Sequence, residues 1–290
     1  MAVRAEDYAG KVTISDGAWG TELDKLGCPP GFCREEWNLT KPELVEKVAA
    51  AYVNAGSQII LTNTFSANRF ALARHGKAEQ VAAYNKAGAA ISKKAAGTKA
   101  KVFGSIGPSG KMLIDGDVSE DELLAAFKAQ AQALAEGGCD ALVVETMTEL
   151  QEAAIAVRAA KTTGLLVVGC MTYDSGPDHT RTMMGVTPEQ AVQGLTEAGV
   201  DIIGCNCGIG IDNYIIVAGK FRTATRKPIW VKANAGMPEV VDGKPVYKMQ
   251  PDVFGEKVKD LIKAGANIVG GCCGTSPAFI AATAKALARK

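Results

Sequence analysis

The chain has 290 residues, 47% hydrophobic and only 6% aromatic, enough to bury a large aliphatic core in one domain or two. A formal net charge of +1 gives no global preference for nucleic acid or an anionic membrane, and neither is expected as a partner. No apolar run reaches membrane-spanning length and Met1-Ala-Val-Arg-Ala-Glu-Asp-Tyr8 holds no secretory core, so a cytoplasmic protein is expected.

In chain order, an apolar run at 12–15 leads to Asp16-Gly-Ala-Trp-Gly-Thr21. Thr40-Lys-Pro-Glu43 reads as a capping box, and Leu44, Val48, Tyr52 and Ala55 follow at helical spacing. The strand inside Ala55-Gly-Ser-Gln-Ile-Ile-Leu-Thr-Asn63 runs into Thr62-Asn-Thr-Phe65, and residues 69–96 supply one long helix or two shorter ones. Further apolar runs fall at 101–106, 165–171 and 228–232, and helical stretches at 120–136, 149–162, 188–198, 213–223, 253–264 and 277–287.

Four segments repeat one pattern, a helix ending in glycine, one or two variable residues, then an apolar strand with a polar or reactive end. They are Ala55 to Asn63, Gly137-Gly-Cys-Asp-Ala-Leu-Val-Val-Glu145, Ala198-Gly-Val-Asp-Ile-Ile-Gly-Cys-Asn206 and Ala264-Gly-Ala-Asn-Ile-Val-Gly-Gly-Cys272. Glycine supplies a left-handed cap, and continuous Ile/Val/Leu runs suit parallel strands buried on both faces. About eight alternations of strand and helix predict a single α/β domain over 1–290, a (β/α)₈ TIM barrel. The irregular stretches 27–38 and 236–249 are expected to form lids or partner contacts.

Such a barrel collects its functional groups at the carboxyl ends of its strands. Asp16, Ser105, Glu145, Cys207, Asn234, Cys272 and Cys273 would then converge. Eight cysteines are too sparse for a disulfide scaffold, and His75 and His179, outside any His-Glu-x-x-His frame, read as surface residues. Cys207, Cys272 and Cys273 suit a Zn²⁺ site with its fourth position left to a neutral group or substrate. Inert core cysteines beside a Gly-rich phosphate loop are the competing reading, and Cys205, one pleat deeper than Cys207, is a rival third ligand. Zinc on three thiolates is a blunted Lewis acid, yet it holds a thiol deprotonated and nucleophilic, which implies alkyl transfer to sulfur rather than hydrolysis. A small amino-acid thiol also needs anchors: Glu145 and Asp16 suit its ammonium, and the amides around Gly17, Ala18 and Ser105, with Thr21 nearby, suit its carboxylate.

The motifs Asp-Gly-x-x-Gly-Thr, Thr-Asn-Thr-Phe, Gly-x-Ile-Gly-Pro, Glu-Thr, Gly-x-Asn-Cys, Asn-Ala-Gly and Gly-Gly-Cys-Cys-Gly-Thr, spread from Asp16 to about Ala282, closely resemble the homocysteine S-methyltransferase family. The resemblance implies zinc on Cys207, Cys272 and Cys273, homocysteine held by Glu145 and Asp16, and Asn234 beside the metal as a fourth ligand. It is nearest to the homocysteine module of cobalamin-dependent methionine synthase. Ser66 replaces the aromatic residue that betaine-dependent relatives place after this motif, which argues against a quaternary ammonium donor. Ala233 stands where proline is usual and Ala18-Trp19 replaces a glycine-containing turn, so a different donor-facing rim is expected. With no folate, cobalamin or activation module in the sequence, the expected donor is a methyl-corrinoid carried by a separate protein. The alternatives are S-methylmethionine as donor, another small thiol as acceptor in a demethylation route, or a zinc- and redox-sensing module.

Overall fold

The computed structural model describes residues 3–241 and 244–289. Its strands are β1 (Thr13–Ile14), β2 (Ile59–Leu61), β3 (Lys101–Ile106), β4 (Ala141–Met147), β5 (Leu166–Met171), β6 (Ile202–Cys207), β7 (Ile229–Ala233), β8 (Glu239–Val241), β9 (Lys244–Val246) and β10 (Ile268–Gly271). Eight of them form one parallel sheet in the order β1-β10-β7-β6-β5-β4-β3-β2, and β8 and β9 make a separate antiparallel hairpin. At the seam the Gln58 N–H donates to the Ile14 carbonyl (2.8 Å), its side chain accepts from the Ile14 N–H (3.0 Å), and the Asp16 carboxylate accepts from the Leu61 N–H (2.7 Å). A side chain thus replaces a ladder carbonyl, and the sheet curls into the expected (β/α)₈ TIM barrel.

Strand alternation divides the core. Inward-facing Ile59, Leu61, Phe103, Val143, Val168 and Trp230 fill the barrel, where Phe103 and Trp230 stack with ring centroids 5.8 Å apart. Their neighbours Ile60, Val102, Leu142, Val167, Ile203 and Val231 face the helices. The helix expected at 120–136 is Glu120–Glu136, capped by a reciprocal Ser119/Glu122 box. Region 69–96 forms two helices, Arg69–Ala73 and Val81–Ala96, the first held by the Asn68 side chain accepting from Phe70 and Ala71 N–H. The capping box expected at Thr40 does not form. Helix Pro42–Asn54 has Lys41 at its N-cap, and the Thr40 hydroxyl instead donates to the Glu36 carbonyl, closing the preceding short helix. Among the described residues no helix is long and apolar enough to cross a membrane.

The fourfold repeat has a physical basis at both of its ends. Gly56, Gly138, Gly199 and Gly265 all have φ between 91° and 111°, and each accompanies paired hydrogen bonds of the Schellman type, such as Gly56 N–H to Val53 O and Ser57 N–H to Tyr52 O. The residue two positions on is then a clip. Gln58, Asp140, Asp201 and Asn267 accept from the backbone N–H of Ile14, Val102, Val167 and Ile229, tying each even turn to the preceding odd strand. Positions that read as variable between helix and strand therefore set register at the amino-terminal rim. Asp201→Ala removes an acceptor for Val167 and an ion pair with Lys161. It is expected to lower stability by about 2 kcal/mol, seen as a lower urea midpoint at constant slope. An unchanged midpoint would deny the clip its role.

Candidate active site

The Sγ atoms of Cys207, Cys272 and Cys273 lie within 4.8 Å of one another, with Cys207 and Cys273 3.7 Å apart. Regular strand parity would turn Cys207 outward beside Cys205, which is fully buried against the helix layer. A left-handed backbone at Cys207 (φ 68°) breaks that parity and brings its sulfur to the cavity. Thr146 at the end of β4 has the same conformation (φ 62°), and Asn206 links the two turns by accepting from the Thr146 N–H and donating to its hydroxyl, both at 2.7 Å. Each such residue costs about 1–3 kcal/mol, and backbone strain of this kind collects at functional sites.

The glycines before the cysteine pair do not free the chain from the sheet. Gly270 and Gly271 stay in β10, paired with Lys232 and Ala233. Their value is space: a Cβ on Gly270 would fall 2.7 Å from the Asp16 carbonyl, and one on Gly271 would fall 2.2 Å from the Thr275 hydroxyl. Gly274 (φ 79°) completes the turn, and a Cβ there would strike the Tyr247 ring at 2.2 Å. Tyr247 leaves the β8–β9 hairpin, so the second irregular stretch walls the sulfur cluster. Residues 242–243 of that stretch lie outside the described residues.

The three thiols hold their protons tightly. Contact with Cys272 pulls the Cys207 thiol down, but Cys273 and burial push it further up, to about 12. Cys207 likewise pulls Cys273 down while Cys272 and burial drive it up to about 12, and Cys272 is raised by Cys207 and by burial. Crowded thiols of this kind are matched to a cation that displaces their protons. Asn234 sits against them. Its N–H donates to the Cys207 carbonyl (3.3 Å), its Nδ2 to the Gly208 carbonyl (2.5 Å), and its Oδ1 is buried with no partner among the described residues. Three soft sulfurs and one orphaned neutral oxygen fit a closed or nearly closed zinc site.

A cavity of about 620 Å³ opens above the sulfurs. Gly17, Ala18, Thr21, Ser105 and Glu145 line it, and the Thr21 hydroxyl is buried with no partner among the described residues. Asp16 does not reach it. Its carboxylate is fully buried and takes Lys232 Nζ, Trp19 Nε1 (2.8 Å), Leu61 N–H (2.7 Å) and Ser15 Oγ (3.3 Å). Lys232 also lines the cavity, an ionisable group beside Glu145 that no motif in the sequence marks. Burial disfavours its ammonium, but Asp16 and Glu145 outweigh burial and its pKa is raised, so it stays charged. Glu145 bonds the Ser105 hydroxyl and, at 3.4 Å, Asn206 Nδ2. Burial raises its pKa more than Lys232 and Ser105 lower it, leaving it a carboxylate without a full counter-charge.

The first irregular stretch forms the opposite wall. Cys33, Arg34 and Glu35 line the cavity, Glu35 accepts from the Ser66 N–H (2.8 Å), and Asn38 and Asn63 exchange bonds with the backbone around them. His75, read as a surface residue, is exposed yet stands on the cavity rim. Trp19 also faces the cavity while its indole fixes Asp16.

The family model described as homocysteine S-methyltransferase matches residues 13–287. Methionine synthase of Mycobacterium leprae is 30% identical over 301 residues, covering 98% of this chain and 25% of that protein. Methionine synthase of Mycobacterium tuberculosis is 30% identical over 295 residues, 96% of this chain and 25% of that protein. The chain thus spans about a quarter of the length of these relatives. Among solved structures, the metallated homocysteine methyltransferase MmuM of Escherichia coli superposes with a TM-score of 0.80 at 24% identity, covering 96% of this chain and 97% of that one, which supports the fold. The chain belongs to the homocysteine S-methyltransferase family of methyltransferases.

Proposed function

We infer that the protein transfers a methyl group to the sulfur of homocysteine, giving methionine, with Zn²⁺ held by Cys207, Cys272 and Cys273. The observation that carries this reading is the cluster of three thiols within 4.8 Å on a cavity that also presents the under-neutralised Glu145. When bound, zinc supplies a place where a thiol is kept as a nucleophilic thiolate at neutral pH. Asn234 Oδ1 is the neutral group that completes the site without a thiol. Glu145 takes the substrate ammonium, and Ser105 and Asn206 hold that carboxylate in place. Gly17, Ala18 and Thr21 line the substrate arm, while Asp16 acts from behind through Lys232. No side-chain general base is required, and the chain's own task is to bind, orient and exclude water. Eight free cysteines support work in a reducing, cytoplasmic compartment.

For the donor we favour a methyl-corrinoid on a separate protein. Large apolar side chains stand exposed on three loops around the barrel mouth: Met112 and Ile114 after β3, Met183 and Met184 after β5, Met237 and Val240 after β7. Such a rim suits a macromolecular carrier better than a small polar donor. Incubating the zinc-loaded protein with homocysteine and either a methylated corrinoid protein or S-methylmethionine tests this. Methionine is expected with the corrinoid protein; methionine appearing only with S-methylmethionine would overturn the donor assignment.

A further inference from the structure

We propose that Lys232 is the specificity residue for the acceptor's carboxylate, so that Lys232 and Glu145 together read the zwitterionic head of an α-amino-acid thiol. This deepens the function proposed above and rests on it.

Lys232 comes from β7 on the same inward face as Trp230. Trp230 closes the apolar layer of the barrel, and Lys232 begins the polar layer above it. Its side chain crosses Gly270, where an added Cβ would lie 3.3 Å from Lys232 Cγ, and reaches Asp16 on the far side of β10. The side chain is only 3% exposed, yet the residue lines the cavity. Among the described residues Asp16 is its hydrogen-bond partner, which uses one N–H of three. A buried ion pair kept only for stability is easily replaced by packed apolar side chains, whereas an ammonium with spare donors on a substrate cavity has something left to bind.

Two of the backbone donors that might otherwise serve the carboxylate are engaged. The Ser105 N–H donates to the Thr62 hydroxyl (3.0 Å) and the Ala18 N–H to the Thr275 carbonyl (3.4 Å). Charge counting points the same way. Asp16 and Lys232 cancel, Glu145 remains, and a bound ammonium balances it; the substrate's own carboxylate then needs a cation, and of Arg34 and Lys232 in the lining, Arg34 is held out on the far wall by Asp24 (2.8 Å), which leaves Lys232. Asp16 is on this account a positioning residue, fixing the lysine through a carboxylate that itself closes the barrel seam.

The test is calorimetric binding of three thiols to the zinc-loaded full chain: homocysteine, 3-aminopropanethiol, which lacks the carboxylate, and 4-mercaptobutanoate, which lacks the amine. Wild type should bind homocysteine about 10- to 100-fold tighter than 3-aminopropanethiol. Lys232→Met should weaken homocysteine by about the same factor and change 3-aminopropanethiol by less than about threefold, so that the preference disappears. Because Lys232→Met leaves the Asp16 charge buried, the double variant Asp16→Asn/Lys232→Met removes both charges and should show the same loss of preference with metal content intact. Equal weakening of both thiols, or a preserved ratio in the folded double variant, would overturn the assignment. A wild type that binds homocysteine no better than 3-aminopropanethiol would overturn it while leaving the thiol site standing. A wild type that binds none of the three would remove the acceptor-site reading and this inference with it.

Discussion

Changing Cys207, Cys272 or Cys273 singly to Ala is expected to strip zinc on dialysis against a chelator and to lower methyl transfer by about 1000-fold or more, while Cys205→Ala keeps both. The contrast follows from one backbone angle. Cys205 and Cys207 are two residues apart on β6, and a regular strand would give their sulfurs the same surroundings. Cys205 packs in the helix-facing core with its pKa driven up by burial, and Cys207 escapes that face through its positive φ. Cys205→Ala should therefore cost only packing, about 1 kcal/mol or somewhat more. Metal analysis of the four purified variants decides the point. Zinc lost from Cys205→Ala alone, or retained in all three of the others, would reassign the ligands.

Glu145→Gln should raise the homocysteine KM and lower kcat/KM by about 100-fold with zinc content unchanged. Glutamine can keep the contacts with Ser105 and Asn206 but cannot neutralise an ammonium in a cavity where Lys232 already carries positive charge. The same variant should bind 4-mercaptobutanoate at least as well as wild type does, since the Glu145 charge that repels its carboxylate is gone. Steady-state kinetics with homocysteine and calorimetry with the amine-free thiol read the two effects separately. An unchanged KM would show that the ammonium is held elsewhere.

The barrel was legible because its four glycine-capped repeats and eight apolar runs are local signals, and the structure places their polar ends at one mouth. The cysteine trio was legible because thiols at strand ends are rare and chemically specific. What escaped was set by tertiary context. Lys232 closes the apolar run 228–232 with no local pattern to mark it as a site residue; only the register that puts Gly270 beside it shows that its side chain crosses inward. Asp16 looks like a substrate ligand in sequence, yet the short β1 needs its carboxylate to satisfy Leu61 at the seam and Lys232 consumes its charge. The clip residues Gln58, Asp140, Asp201 and Asn267 were in view but differ in type, so their shared hydrogen-bond role did not show as a motif. Thr40 misled for a smaller reason: its hydroxyl serves the helix behind it rather than the one ahead.

All of this depends on three sulfurs binding one zinc ion that leaves room for a fourth. X-ray absorption at the zinc edge, recorded on the loaded protein before and after homocysteine is added, addresses that directly. Three sulfurs and one lighter atom are expected at first, changing to four sulfurs with the thiol bound; a coordination shell that starts with fewer than three sulfurs, or does not change, would contradict the zinc site proposed above.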